Sequence, residues 1–153
     1  MLICCLFLVH ERMCNGRWIV YHISSLLYTW CTDTVVLTGG MPKFIDSAQI
    51  KEPESFLMYQ LLSQQLNEDI KRCLKICLES TSTSTAQNVV NALHFIQNYS
   101  PRKIWFYSKS HHAGRAYLSL KKHIGDIDLK QYSFPVDMSP LEGLDEVLLN
   151  EGN

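Results

Sequence analysis

An excess of charge of either sign is missing from this chain. Its 153 residues carry 14 Lys and Arg against 15 Asp and Glu, a formal net charge of −1. So balanced a chain has no electrostatic footprint for nucleic acid and no basic face for an anionic membrane. Aromatic and basic residues do not interleave in a stripe, a second sign against nucleic acid. Long apolar runs are missing too. Met1 to Val9 is apolar but well short of the ~20 residues that a membrane span needs. It also lacks the basic lead-in and small-residue cleavage site of a signal peptide, and reads as a buried first strand. Cys4, Cys5, Cys14, Cys31, Cys73 and Cys77 contain no C-x-x-C pair, which removes the usual zinc and thioredoxin-type spacings. No set of metal ligands has recognisable spacing, so no metal is expected, and no cofactor is named. The cysteines read as buried free thiols in a reducing, cytoplasmic setting, with Cys73 and Cys77 on one face of a strand. Neither G-x-G-x-x-G nor G-x-x-x-x-G-K-[ST] occurs, so no dinucleotide fingerprint or phosphate-loop motif is present.

What is present is a regular alternation of apolar runs. Strands are expected over Leu2–Val9, Thr34–Leu37, Leu74–Leu78, Lys103–Tyr107 and Leu129–Phe134. Helices are expected over Arg17–Tyr28, Glu54–Ile70, Thr85–Tyr99, Arg115–Ile124 and Pro140–Leu149, with a loop from Met41 to Pro53. The helical stripes are Leu57, Leu61, Leu62, Leu66 and Ile70 in one, Val89, Leu93 and Ile96 in the next, and Ala116, Leu120 and Ile124 in a third. Strands alternating with helices imply βαβ units and a parallel sheet covered on both faces. With 46% hydrophobic residues and no long linker or internal repeat, residues 1–153 are expected to form a single domain with a real core.

Polar residues gather where strands give way to helices. Thr38-Gly39-Gly40 ends one strand, and its glycines permit a tight turn or close approach to a ligand; an ordinary turn would look the same. Glu79-Ser80-Thr81-Ser82-Thr83-Ser84-Thr85-Ala86-Gln87-Asn88 ends another and opens a helix. Thr85 there could cap the helix, with backbone N–H groups left for an anion; the hydroxyls could equally be plain caps. Ser108-Lys109-Ser110-His111-His112-Ala113-Gly114-Arg115 ends a third. His112 and Arg115, at i and i+3, share a helix face. An imidazole can carry a proton near neutral pH and a guanidinium can clamp phosphate or carboxylate. The plainer reading is a polar helix start with Arg115 paired to a surface acid.

These blocks together resemble the YdcF-like family of bacterial domains of unknown function, which includes SanA-like and ElyC-like envelope proteins. The first block is Thr38-Gly39-Gly40, followed by a helix with the early glutamate Glu54. The second is Glu79, Ser82, Thr85 and Asn88. The third is Ser108, His112 and Arg115, with serine in place of the commoner threonine. The match covers roughly residues 17 to 136. Residues 1–16 depart from it: the Gly pair of the family's first turn is absent between His10 and Gly16, as in a divergent or truncated segment. The resemblance implies a single three-layer, Rossmann-like α/β domain, its mostly parallel sheet of about five strands flanked by helices. It also implies a polar pocket at the carboxyl edge of the sheet.

The expected ligand is a small anionic or nucleotide-like molecule. Thr38, Gly39, Gly40, Glu54, Ser82, Thr85, Asn88, Ser108 and Arg115 are the candidate binding residues. His112 is the candidate proton carrier, with Glu79 or Glu54 orienting it. Hydrolysis or group transfer at a phosphate-containing substrate is one reading. A non-catalytic module for a nucleotide or an S-adenosylmethionine-like ligand is another, and an inactive divergent paralogue a third.

Overall fold

The computed structural model describes residues 3–8, 24, 34–41 and 52–134, with the backbone alone for 3–8, 109–111 and 133–134. Its elements run β1 (Ile3–Leu8), β2 (Thr34–Thr38), α1 (Glu54–Gln65), α2 (Glu68–Cys73), β3 (Lys75–Glu79), α3 (Thr85–Gln97), β4 (Lys103–Lys109), α4 (Ser110–Ile124) and β5 (Asp128–Phe134). The expected helices Arg17–Tyr28 and Pro140–Leu149 lie outside the described residues, apart from the helical, buried Ser24. Most of the expected loop before Pro53 lies outside them too.

The strands form one sheet in the order β3-β2-β1-β4-β5, and every neighbouring pair is parallel. A parallel strand covered on both faces has no polar side to show, so it reads as a continuous apolar run. Val35-Val36-Leu37 and Ile104-Trp105-Phe106-Tyr107 are such runs, and all seven residues are buried. Their side chains divide by parity. Val35, Leu37, Trp105 and Tyr107 pack with Met58 and Leu62 of α1. Val36, Cys77, Ile104 and Phe106 pack with Val89, Leu93 and Ile96 of α3 and Ala116, Leu120 and Ile124 of α4.

The chain steps from β1 to β2 to β3 in one direction, then crosses over to β4 and steps outward to β5. With crossovers of one hand, that reversal moves the connecting helices to the opposite face. This is why α1 lies on one side while α3 and α4 lie together on the other. Between β1 and β4 the order reverses, and in open parallel sheets ligands bind outside the carboxyl ends of the strands at that point.

Several sequence expectations are corrected. The expected helix Glu54–Ile70 is two helices, because Asn67 takes extended backbone and its side chain accepts from the Ile70 N–H, capping α2. The buried stripe of α1 is Ser55, Met58 and Leu62; Leu57 and Leu61 lie on its half-buried flank. Cys73 and Cys77 do not share a strand. Cys73 ends α2 and is exposed, whereas Cys77 lies buried on β3; both are free thiols. Helix α4 begins at Ser110 rather than Arg115. His112 therefore lies in its first turn, directly after β4.

Candidate functional site

In-register residues of a parallel sheet lie side by side on the same face. Glu79 aligns with Thr38, Thr38 with Leu8, Leu8 with Ser108, and Ser108 with Ser133. The carboxyl edge thus presents a single row across all five strands. Thr38, Glu79 and Ser108 share the parity of Val36, Cys77 and Phe106, which pack on α3 and α4. All three side chains are buried on that same side.

Glu79 organises the left half of the row. Only 3% of it is exposed, and four residues donate to its carboxylate. Thr38 Oγ1 donates to Oε2 at 2.6 Å. Thr81 donates to Oε1 through both its N–H and its Oγ1, at 2.8 Å each. The Ser82 N–H does so at 2.9 Å and Asn91 Nδ2 at 3.1 Å. Burial by itself pushes the Glu79 carboxyl up, but hydrogen bonds from Ser82, Thr38 and Thr81 more than offset it and hold the group at about 2. Glu79 is thus an ionised anchor for residues 80–82, its Oε1 held by Thr81, Ser82 and Asn91 and its Oε2 by Thr38.

The glycine turn packs against that anchored loop. The Gly39 N–H donates to the Glu79 carbonyl at 3.0 Å, while the Gly39 and Gly40 carbonyls accept from the Ser55 and Glu54 N–H groups that open α1. A Cβ on Gly40 would stand 2.0 Å from the Ser82 carbonyl oxygen. The close approach that these glycines permit is therefore filled by the chain's own backbone, and the α1 N-terminus is engaged by the turn itself. On the same side, the Ser55 and Ser80 hydroxyls lie 2.8 Å apart, tying α1 to the loop.

On the other side of the loop stands α3. Its cap is Ser84, which accepts from the Gln87 N–H; Thr85, expected as the cap, is the first helical residue. The Gln87 side chain in turn accepts from the Thr83 N–H. Ser82 Oγ donates to Asn88 Oδ1, and Thr38 Oγ1 lies 3.3 Å from the Asn88 carbonyl oxygen. Asn88 is buried, as are Ser82 and Thr85. Thr85 Oγ1 lies 3.4 Å from Nδ1 of the half-buried His112, which joins the first turns of α3 and α4. Arg115 is exposed one turn further along α4, and among the described residues it has no ion-pair partner. Ser108, 1% exposed, has a hydroxyl without a hydrogen-bond partner among the described residues.

Thr38, Ser82, Asn88 and Glu79 therefore form one network, Thr85 and His112 an adjoining contact, and Gly39, Gly40 and Glu54 the turn beneath. His112 is linked here to Thr85, whereas the hydrogen bonds of Glu79 run to Thr38, Thr81, Ser82 and Asn91. Sequence reasoning missed Ser55 and Asn91. Asn91 stands six residues on from Thr85, nearly two helical turns, and a polar side chain there looks like part of a solvated face. Ser55 carried a fainter signal, a hydroxyl beside Glu54 at a helix start.

Among the described residues no three His, Cys, Asp or Glu side chains gather as a metal site requires, and no helix is long and apolar enough to cross a membrane. A groove of about 370 Å³ opens at the opposite, amino edge of the sheet, between the last turns of α3 and α4. Leu93, Ile96, Pro101, Ile124 and Ile127 make its lining mainly apolar.

No family model matches the chain, and no curated protein matches it. Among solved structures it is similar to a protein of Roseobacter denitrificans described as a candidate racemase, at 10% identity and a TM-score of 0.34. The similarity covers 84% of this chain and 33% of that one, so the chain spans about a third of that protein's length. Likeness at this level says nothing about substrate.

Proposed function

We propose that the carboxyl edge of the sheet is a binding pocket for an anionic or nucleotide-like small molecule, in a Rossmann-like domain of the YdcF-like kind. One observation carries this reading. Three strand ends far apart in sequence bring Thr38, Glu79 and Ser108 into one row on one face, and Ser82, Thr85, Asn88 and His112 gather on that face. Strand ends serve the fold equally well when apolar, and this edge instead concentrates hydroxyls, an imidazole and a carboxylate.

In this reading Arg115, without an acidic partner among the described residues, supplies the charge that retains the anion. Glu79 holds the loop Ser80–Ser82 in place. Gly39, Gly40 and Glu54 shape the floor of the pocket. If the protein turns its ligand over, hydrolysis or transfer at a phosphate-containing substrate fits this chemistry, with His112 giving or taking the proton.

A second reading, a non-catalytic binding module, is favoured by one feature. The Glu79 carboxylate is held at about 2 by donors of the chain itself, so it is a poor proton shuttle near neutral pH and does not act as an acid or base beside His112. The test is a thermal-shift series with nucleotides, S-adenosylmethionine, sugar phosphates and prenyl phosphates, run on the wild type and Arg115→Ala. A ligand that binds only the folded state raises the melting temperature. A rise that disappears in Arg115→Ala supports the pocket, and no rise with any of these ligands contradicts it. Turnover lost in His112→Ala, with binding kept, selects the enzyme over the module.

A further inference from the structure

We infer that the charged end of the ligand is a phosphate-type oxyanion seated over Ser108, between the first turns of α4 and α3, and not in the Gly39-Gly40 turn. This rests on the pocket proposed above and fixes which part of it takes the anion.

The central observation is the Ser108 hydroxyl. It is 1% exposed and unpartnered among the described residues. A buried polar atom without a partner destabilises a fold, and such atoms are rare enough that each calls for a physical cause. Ser108 lies on the side of the sheet covered by α3 and α4, as the parity of Ile104 and Phe106 requires. It pairs in register with Leu8 of β1, so it stands at the reversal point between β1 and β4, where open parallel sheets receive ligands. Helix α4 starts two residues later.

The surroundings favour negative charge. The first N–H groups of a helix have no partner within it, and the helix dipole places positive potential there. Helices α1 and α2 offset this potential with Glu54 and with Glu68 and Asp69 in their first turns. Helices α3 and α4 carry no acid in theirs, and the Thr85–His112 contact brings these two ends together. A hydroxyl donor on the face covered by two helix starts that carry no acid of their own suits an oxyanion. The glycine turn offers no comparable place. Its carbonyls accept from α1, and the space beside Gly40 holds the Ser82 carbonyl.

The experiment compares wild type, Ser108→Ala and Ser108→Cys by thermal shift and calorimetry, with inorganic phosphate, adenosine diphosphate and adenosine as probes. In the absence of probe, Ser108→Ala is expected to melt no lower than wild type, since it removes an unsatisfied group. With adenosine diphosphate it is expected to bind about tenfold more weakly or worse, and to lose the phosphate shift. Its response to adenosine should match that of wild type. Ser108→Cys should follow Ser108→Ala, because a thiol is a weak donor. Wild-type binding of the phosphates that persists in Ser108→Ala overturns the inference while leaving the pocket standing. So does a clearly lower melting point of probe-free Ser108→Ala, which would mean that the hydroxyl is satisfied within the fold. No response of wild type to any of the three probes removes both the pocket for this ligand class and the inference that rests on it.

Discussion

Among individual residues, Glu79 makes the strongest demand on its surroundings. A carboxylate with 3% exposure is tolerable only because donors from Thr38, Thr81, Ser82 and Asn91 replace its lost water. Linkage gives this a pH signature. In the unfolded chain Glu79 takes up its proton near 4.5, and in the folded protein only near about 2. The stability it contributes is complete above the first value and is lost as pH falls through the second. After screening by solvent the difference amounts to on the order of 1–3 kcal/mol. Denaturant unfolding between pH 6 and pH 2 should therefore show stability falling in the acid range, with that part of the slope missing in Glu79→Gln. An equal slope in the variant would assign the acid sensitivity to other groups. Gly40 makes a steric demand of the same order. Its missing Cβ is the space the Ser82 carbonyl occupies, so Gly40→Ala should cost about 1–3 kcal/mol in equilibrium unfolding. A neutral result would mean that the glycine turn and the loop after β3 do not pack together.

Elements follow from sequence where a stripe or an apolar run is strong, and less well where polar residues carry the signal. Helix α3 was legible because Val89, Leu93 and Ile96 fall on one stripe, and all three are buried. The break between α1 and α2 was not, because Leu62, Leu66 and Ile70 continue the helical spacing straight through it. The contrary signal was Asn67 ahead of Glu68 and Asp69, a cap followed by acids, and the cap prevailed. The start of α4 was also hidden. Ser110 to Gly114 has no apolar period, and Gly114 argues locally against a helix. That glycine gives a direct test: a Cβ added there meets nothing within 4 Å, and the position is exposed. Gly114→Ala should raise stability by about 0.5–1 kcal/mol. A loss of stability would mean that this turn of α4 is not helical in solution.

For the whole molecule, the site is a product of topology more than of any single motif. Thr38, Glu79 and Ser108 were each visible as the polar residue closing an apolar run. That they share one row depends on the strand order β3-β2-β1-β4-β5 and its register, which no local pattern states. Ser55 and Asn91 stayed hidden because their burial depends on how α1 and α3 lie against the loop after β3. The same topology separates two candidate places for a ligand. The polar row and the joined starts of α3 and α4 lie at the carboxyl edge, and the apolar groove of Leu93, Ile96 and Ile127 lies at the amino edge. An amide ¹H–¹⁵N NMR titration with adenosine diphosphate distinguishes them in one experiment. The expected result is that perturbed amides gather at Thr38–Gly40, Glu79–Asn88 and Ser108–Arg115. Perturbations gathered instead around Leu93, Gln97, Ser100, His123 and Ile127, or none at all in the folded protein, would contradict a ligand site at the carboxyl edge.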